Sequence, residues 1–182
     1  MGKFYFVRHG QTVWNVENKI CGATDSQLTE LGHQQAQETG RMLKEKIDRG
    51  ELHVDEILTS PLSRAYDTAV EISKMIGVPM RVEERLIEQS FGCWEGTPRN
   101  GQEFKKAKEN FLDSFNGGES MMHVGQRIYN LIDDIKKEPE KTYLLVAHNG
   151  ISRVIESYFR DMTNAEFASF GIKNAELREF DF

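Results

Sequence analysis

Along the chain, short apolar runs alternate with longer stretches in which apolar residues recur every three or four positions. The first run, Phe4 to Val7, stops abruptly at Arg8-His9-Gly10, which predicts a buried strand followed by a turn. From Thr29 to about Arg49, the positions Leu31, Ala36, Gly40, Leu43 and Ile47 fall on one helical face, with Thr29 as the N-cap. Glu56 to Thr59 predicts a second strand. Ser60-Pro61 then predicts a helix start, with serine at the cap and proline at the first helical position, where no backbone donor is needed. That helix runs to Ile76, and Gly77 and Pro79 end it.

Met80 to Val82 predicts a third strand, and Glu83 to Gly96, which has no clear period, predicts an ordered loop. Asn100 to Phe115, rich in lysine with scattered aromatics, predicts a partly exposed helix broken by Asn116-Gly117-Gly118. A further helix from Ser120 to Lys137 buries Val124, Ile128, Leu131, Ile132 and Ile135. Tyr143 to Ala147 is the most strand-like run. His148-Asn149-Gly150 ends it before a helix from Ile151 to Phe159, and Glu176 to Phe182 predicts a last strand. Strands alternating with helices imply an α/β fold, a three-layer α/β/α arrangement around a mainly parallel central sheet. No repeat, low-complexity tract or linker interrupts residues 1–182, so one domain is expected.

Composition narrows the function. A chain of 182 residues can bury roughly two thirds of its unfolded surface and needs no covalent staple. Cys21 and Cys93 lie far apart without C-x-x-C spacing, and free thiols in a reducing cytoplasm are the simplest reading. Met1 to Arg8 lacks a signal-peptide core, and charged residues interrupt every segment approaching the roughly 20 apolar residues of a membrane span. A cytoplasmic protein without membrane contact is therefore expected. The net charge of −6 argues against a nucleic-acid surface. An anionic ligand must instead meet a local cluster of positive groups.

Such a cluster can form where parallel strands end, because ligands sit beyond the carboxyl ends of open sheets and near helix N-termini. The first strand ends in Arg8-His9, the second is followed within one helical turn by Arg64, and the Tyr143 strand ends in His148. An isolated arginine at such a place is usually a surface charge, and an isolated histidine is usually structural. If the three strands are neighbours, however, two arginines and two histidines converge. The guanidinium forks suit a phosphate dianion, and their charge keeps one imidazole neutral and able to attack phosphorus. The departing alkoxide then needs a proton, which a carboxylic acid would supply. Glu83, Glu84, Glu88 and Glu95 all compete for that role. No metal-binding spacing or nucleotide-binding loop occurs, and His33, His53 and His123 read as solvent-facing. Neither a metal nor another cofactor is expected.

Several ordered blocks resemble the histidine phosphatase superfamily, which includes the cofactor-dependent phosphoglycerate mutases. They are Arg8-His9-Gly10-Gln11-Thr12 with Trp14-Asn15, then Asp25 to Gly32, then Ser60-Pro61-Leu62-Ser63-Arg64-Ala65 with Thr68-Ala69, then Glu88 with Phe91-Gly92 and Trp94-Glu95-Gly96, then Gly118-Glu119-Ser120, and finally Ala147-His148. The resemblance implies a phosphoglycerate mutase-like fold and a phosphohistidine on His9. It further implies that Arg8, Arg64 and His148 hold the transferring phosphoryl group, Asn15 adds a donor, and Glu88 is the proton donor. Gly22, which permits close backbone approach, and Asn149 complete the expected substrate contacts. Two departures stand out. Asn149 follows His148 where the family usually has glycine, and Gln27 replaces a proline.

The expected activity is hydrolysis of phosphate monoesters on small phosphorylated metabolites. A mutase would need a larger arginine-rich cover than residues 97–118, which carry Arg99, Lys105, Lys106 and Lys108. A non-catalytic phospho-ligand domain would be expected to have lost a nucleophile, clamp or acid, and none is missing. An exposed sheet edge would also allow a homodimer.

Overall fold

In the computed structural model, which describes residues 2–182, alternation along each strand sorts side chains to two faces of one five-stranded sheet. The strands are β1 (Lys3–Arg8), β2 (Glu56–Thr59), β3 (Met80–Val82), β4 (Tyr143–Ala147) and β5 (Leu177–Asp181), in the order β3-β2-β4-β1-β5. Only β5 runs antiparallel, against β1. On one face Phe4, Phe6 and Leu145 pack against Ile128, Leu131, Ile132 and Ile155 of helices α5 (Met121–Lys136) and α6 (Asn149–Phe159). On the other, Tyr5, Val7, Leu144 and Val146 pack against Leu43, Ala65, Ala69 and Ile72 of α2 (Glu30–Asp48) and α3 (Ser63–Ile76). Full burial of one such large apolar side chain contributes roughly 1.5–3 kcal/mol, so both sheet faces hold the helices down.

The register decides where chemistry can occur. β2, β4 and β1 are parallel neighbours, with Thr59 beside Val146 and Ala147 beside Arg8. The ladder continues past the strand ends, since Ser60 N donates to Val146 O at 3.0 Å and His9 N donates to Ala147 O at 2.9 Å. The three expected junctions therefore open along one edge.

The structure corrects several local expectations. The helix expected over 100–115 is only α4 (Gln102–Ala107). Beyond it, Asn110 Oδ1 accepts from Leu112 N and Asp113 Oδ1 accepts from Phe115 N, local bonds that compete with a helical ladder. Phe115 and Asn116 then take positive φ of 56° and 53°. Helix α3 starts at Ser63 with Leu62 as its cap, so Ser60 and Pro61 stay outside it. Leu31 is exposed, and α2 turns Gly32, Ala36, Thr39, Gly40 and Leu43 inward instead. Helix α6 begins at Asn149 rather than Ile151. Two short helices had no strong apolar period, α1 (Val13–Val16) and α7 (Asn164–Ser169). Each is fixed by a capping box, Thr12 with Asn15 and Thr163 with Glu166. Among the described residues, no helix is long and apolar enough to cross a membrane.

Candidate active site

Four side chains from the ends of β1 and β4 and the first turn of α3 form the floor of a cleft. Arg64 is 1% exposed, His148 is fully buried and His9 is 5% exposed, while Arg8 is half-buried. The rings of His9 and His148 lie 5.2 Å apart between centroids, inclined by 58°. Gly10 lets the turn after β1 sit against the start of α2, since a Cβ there would fall 2.3 Å from Gly32 O.

The hydrogen bonds define the state of His9. Its Nδ1 lies 2.7 Å from Gly10 O. A carbonyl oxygen only accepts, so Nδ1 carries the proton and Nε2 of the neutral ring keeps its lone pair. Burial, then the charges of Arg64 and Arg8, push the His9 pKa well below its ordinary value. His148 is lowered in the same way, by burial and then by Arg64. Its Nε2 meets Ser60 Oγ at 2.7 Å. That bond explains why Ser60 stands at the strand end and caps no helix.

The guanidinium groups are held from behind. Arg64 donates from Nη2 to Gly22 O at 2.6 Å and from Nη1 to Thr24 O at 3.1 Å and Asp25 Oδ1 at 3.3 Å. Arg8 Nη1 donates to Ile172 O at 2.7 Å. Burial, then Arg99, lowers the Arg8 pKa to about 10. Three buried polar atoms on this floor have no partner: Arg8 Nε, Arg64 Nε and His148 Nδ1. Leaving a buried polar group unpaired costs roughly 1–3 kcal/mol, more for charged groups, so three together mark a site built for an external acceptor.

Arg8 and His9 open onto a cavity of about 170 Å³ whose lining also includes Asn15, Glu88, Asn149 and Arg153, while the buried Arg64 and His148 do not line it. Asn15 Oδ1 is occupied, accepting from Thr12 N and from Asn174 Nδ2, which leaves its amide nitrogen as the free end. Asn149 Oδ1 accepts from Ile172 N at 3.0 Å, so its amide nitrogen is likewise free to donate. Asn149 therefore ties the cleft to the segment before β5, a use its position in the sequence did not suggest. Glu88, 6% exposed, accepts from Gln89 N and Gly150 N, both at 3.0 Å.

The rival carboxylates are spent elsewhere. Glu95 accepts from Ala23, Thr24 and Phe91 backbone N–H groups, which outweigh the upward push of burial and hold its carboxyl below the usual range. Glu83 is buried and paired with Arg85, which lowers its pKa. Glu84 is exposed. Gly22 lies behind Arg64 and is absent from the cavity lining. A Cβ on it would fall 2.4 Å from Gln89 O. Its carbonyl accepts from Arg64 Nη2, so it supports the clamp.

Sequence reasoning missed Arg153, one turn into α6. Its Nε donates to Phe170 O at 2.6 Å, and its side chain lines the cavity beside Arg99 and Lys108. Among the described residues, Arg64 alone of these site cations forms an ion pair, with Asp25. Burial, followed by Arg153 and Arg99, lowers the Lys108 pKa to about 8. Lys105 and Lys106 do not line this cavity. His33 is only partly exposed, facing Glu71, whereas His53 and His123 are exposed. Among the described residues, no group of three or more His, Cys, Asp or Glu is placed to hold a metal ion.

The chain and its fold are similar to known proteins. A sequence model of the histidine phosphatase superfamily (branch 1) matches residues 4–182. The chain is 30% identical over 183 residues to phosphoserine phosphatase 1 of Hydrogenobacter thermophilus, covering 96% of this chain and 84% of that protein. It is 32% identical over 161 residues to the probable phosphoglycerate mutase GpmB of Escherichia fergusonii, covering 84% and 71%. The solved complex of a mycobacterial glucosyl-3-phosphoglycerate phosphatase with inorganic phosphate superposes with a TM-score of 0.78 at 27% identity, covering 98% and 89%.

Proposed function

The chain belongs to the histidine phosphatase superfamily, branch 1, and from that premise we propose that it hydrolyses phosphate monoesters through a phosphohistidine on His9. The observation that carries this reading is the neutral His9 ring, its Nδ1 committed to Gly10 O, above a floor with unpartnered Arg8 Nε, Arg64 Nε and His148 Nδ1.

In the first step the lone pair on His9 Nε2 forms a bond to phosphorus while the ester P–O bond breaks. The leaving oxygen takes the proton of the Glu88 carboxylic acid. Arg8 and Arg64 neutralise the charge on the non-bridging oxygens, His148 and the Asn15 amide add further donors, and the rigid anchoring of each limits reorganisation. In the second step water attacks phosphorus and passes a proton to the Glu88 carboxylate. The P–N bond breaks, and inorganic phosphate leaves with His9 neutral again. Gly10 O serves throughout, because it stabilises the Nδ1–H as the ring gains positive character. Asn149, Arg99 and Lys108 stand where they meet the remainder of the ester.

The cover, residues 97–118, contributes one six-residue helix and turns. So slight a cover suits transfer to water better than return of the phosphoryl group to a retained product. The free thiols Cys21 and Cys93 fit a cytoplasmic enzyme acting on small phosphorylated metabolites. Incubation with 3-phosphoglycerate and with phenyl phosphate, after chelation of metals, tests the reading. Inorganic phosphate should appear from both esters. Conversion of 3-phosphoglycerate to its isomer without phosphate release would favour the mutase activity instead.

A further inference from the structure

A second cavity, of about 400 Å³, adjoins the first and shares Phe91, Lys108, Gly150 and Arg153 with it. Its walls are largely aromatic and aliphatic: Phe91, Phe111, Phe115, Met121, Phe167 and Ala168. Phe111 and Phe167 hold each other at 5.4 Å between centroids, and Phe91 and Phe115 at 5.9 Å. The chamber is therefore assembled from five separate segments, the Phe91 loop, the cover, the start of α5, the start of α6 and α7.

Two features orient it toward the phosphate site. The cations Lys108 and Arg153 stand where the two cavities meet, while the walls beyond them are mostly apolar, with Lys105 and Glu109 as their charged members. A molecule entering both cavities is thus asked for a charged head and an apolar tail, in that order. The size is also informative. A cavity of about 150 Å³ accommodates a benzene ring, so this chamber has room for roughly two rings or an alkyl chain of similar bulk. The serine moiety of phosphoserine is small and polar and would leave most of it unfilled.

Resting on the phosphatase reading, we propose that the substrate is a phosphomonoester whose alcohol carries a bulky apolar group, aromatic or aliphatic, seated in this chamber while its phosphate meets His9. The chain is then selective for amphipathic esters, and its substrate differs in class from phosphoserine.

The test compares esters of primary alcohols with similar leaving groups, so that chemistry stays constant while the tail grows: propyl, 3-phenylpropyl and 3-(1-naphthyl)propyl phosphate, with phosphoserine alongside. Burying a ring should raise kcat/KM from propyl to 3-phenylpropyl phosphate by roughly 10- to 100-fold. The naphthyl ester should keep that gain, and phosphoserine should not exceed the propyl ester. Ala168→Trp, at an exposed position of α7, should fill the chamber and shrink the phenylpropyl-to-propyl ratio. Phe111→Ala should shrink the ratio by removing a wall. A flat series, or a ratio unmoved in both variants, would overturn the proposal while leaving the phosphatase reading intact. Phosphate release from none of the esters would overturn both.

Discussion

Acidification should destabilise this protein by a calculable amount, because it buries two imidazoles as neutral rings. The pKa values of His9 and His148 lie well below the ordinary value in the folded state, through burial first and Arg64 second. In the unfolded chain each titrates near 6.5. A depressed folded pKa means that the contribution is fully present above the unfolded value and is lost as pH falls, since only the unfolded chain takes up the protons. At about pH 5.5 a histidine with an unfolded pKa of about 6.5 that stays neutral in the folded chain favours unfolding by at most on the order of 1 kcal/mol, against almost nothing at about pH 7.5. The pair therefore accounts for up to about 3 kcal/mol of lost stability over that interval, a large share of a typical domain's 5–15 kcal/mol. Urea denaturation at both pH values, in phosphate-free buffer so that no ligand adds stability, measures it. His9→Gln and His148→Gln should each reduce the loss by on the order of 1 kcal/mol and the double variant by about twice that, whatever their stability at neutral pH. If parent and double variant lose the same stability on acidification, the buried rings are not neutral and the assignment of His9 Nε2 as a free nucleophile fails.

Two predictions concern turnover. Glu88→Gln keeps the side-chain shape and an acceptor for one of the two backbone amides, which meet different Glu88 oxygens, but cannot deliver a proton. It should slow alkyl esters by roughly 10²- to 10⁴-fold and leave aryl esters with good leaving groups little affected; equal slowing of both would remove Glu88 from the acid role. With its pKa lowered to about 8, Lys108 is a cation below that value and loses its charge above it. KM for 3-phosphoglycerate should therefore rise as pH passes about 8, Lys108→Ala should raise KM several-fold at neutral pH and flatten this rise, and Lys106→Ala, outside the cavity, should match the parent in a steady-state pH series.

The layout of the sheet was legible because apolar runs and helical periods are long-range averages. β2, β4 and β1 carry strong runs, and each ends at the residue where its chemistry begins. The floor residues Arg8, His9, Arg64 and His148 stand together for that reason. Pattern alone could not rank the four glutamates. Their environments differ only after folding, when Glu95 meets three backbone donors, Glu83 meets Arg85 and Glu88 reaches the cleft through Gly150 N. The motif resemblance made that choice.

Elsewhere the sequence misled for identifiable reasons. Ser60-Pro61 carries a helix-start signature, yet Ser60 Oγ has a stronger tertiary use against His148 Nε2. The lysine-rich stretch after Asn100 has helical composition, but Asn110 and Asp113 divert its backbone bonds into turns. Arg153 gave no local signal beyond its spacing from His148. A cation on the first turns of a helix that follows a catalytic strand deserves the same suspicion as one at the strand end, since both overlook the same cleft. Phe111 and Phe167 are far apart in sequence and meet only through tertiary packing, so the apolar chamber had no one-dimensional trace.

The most direct test of the central claim is a rapid-quench experiment with a phosphate-labelled ester, followed by peptide mapping of the protein under alkaline conditions that preserve phosphohistidine. The account predicts a transient label on the peptide containing His9, attached at Nε2, absent from His9→Ala, and decaying at the rate at which inorganic phosphate appears. Turnover with no label on His9, or undiminished labelling and turnover in His9→Ala, would contradict it.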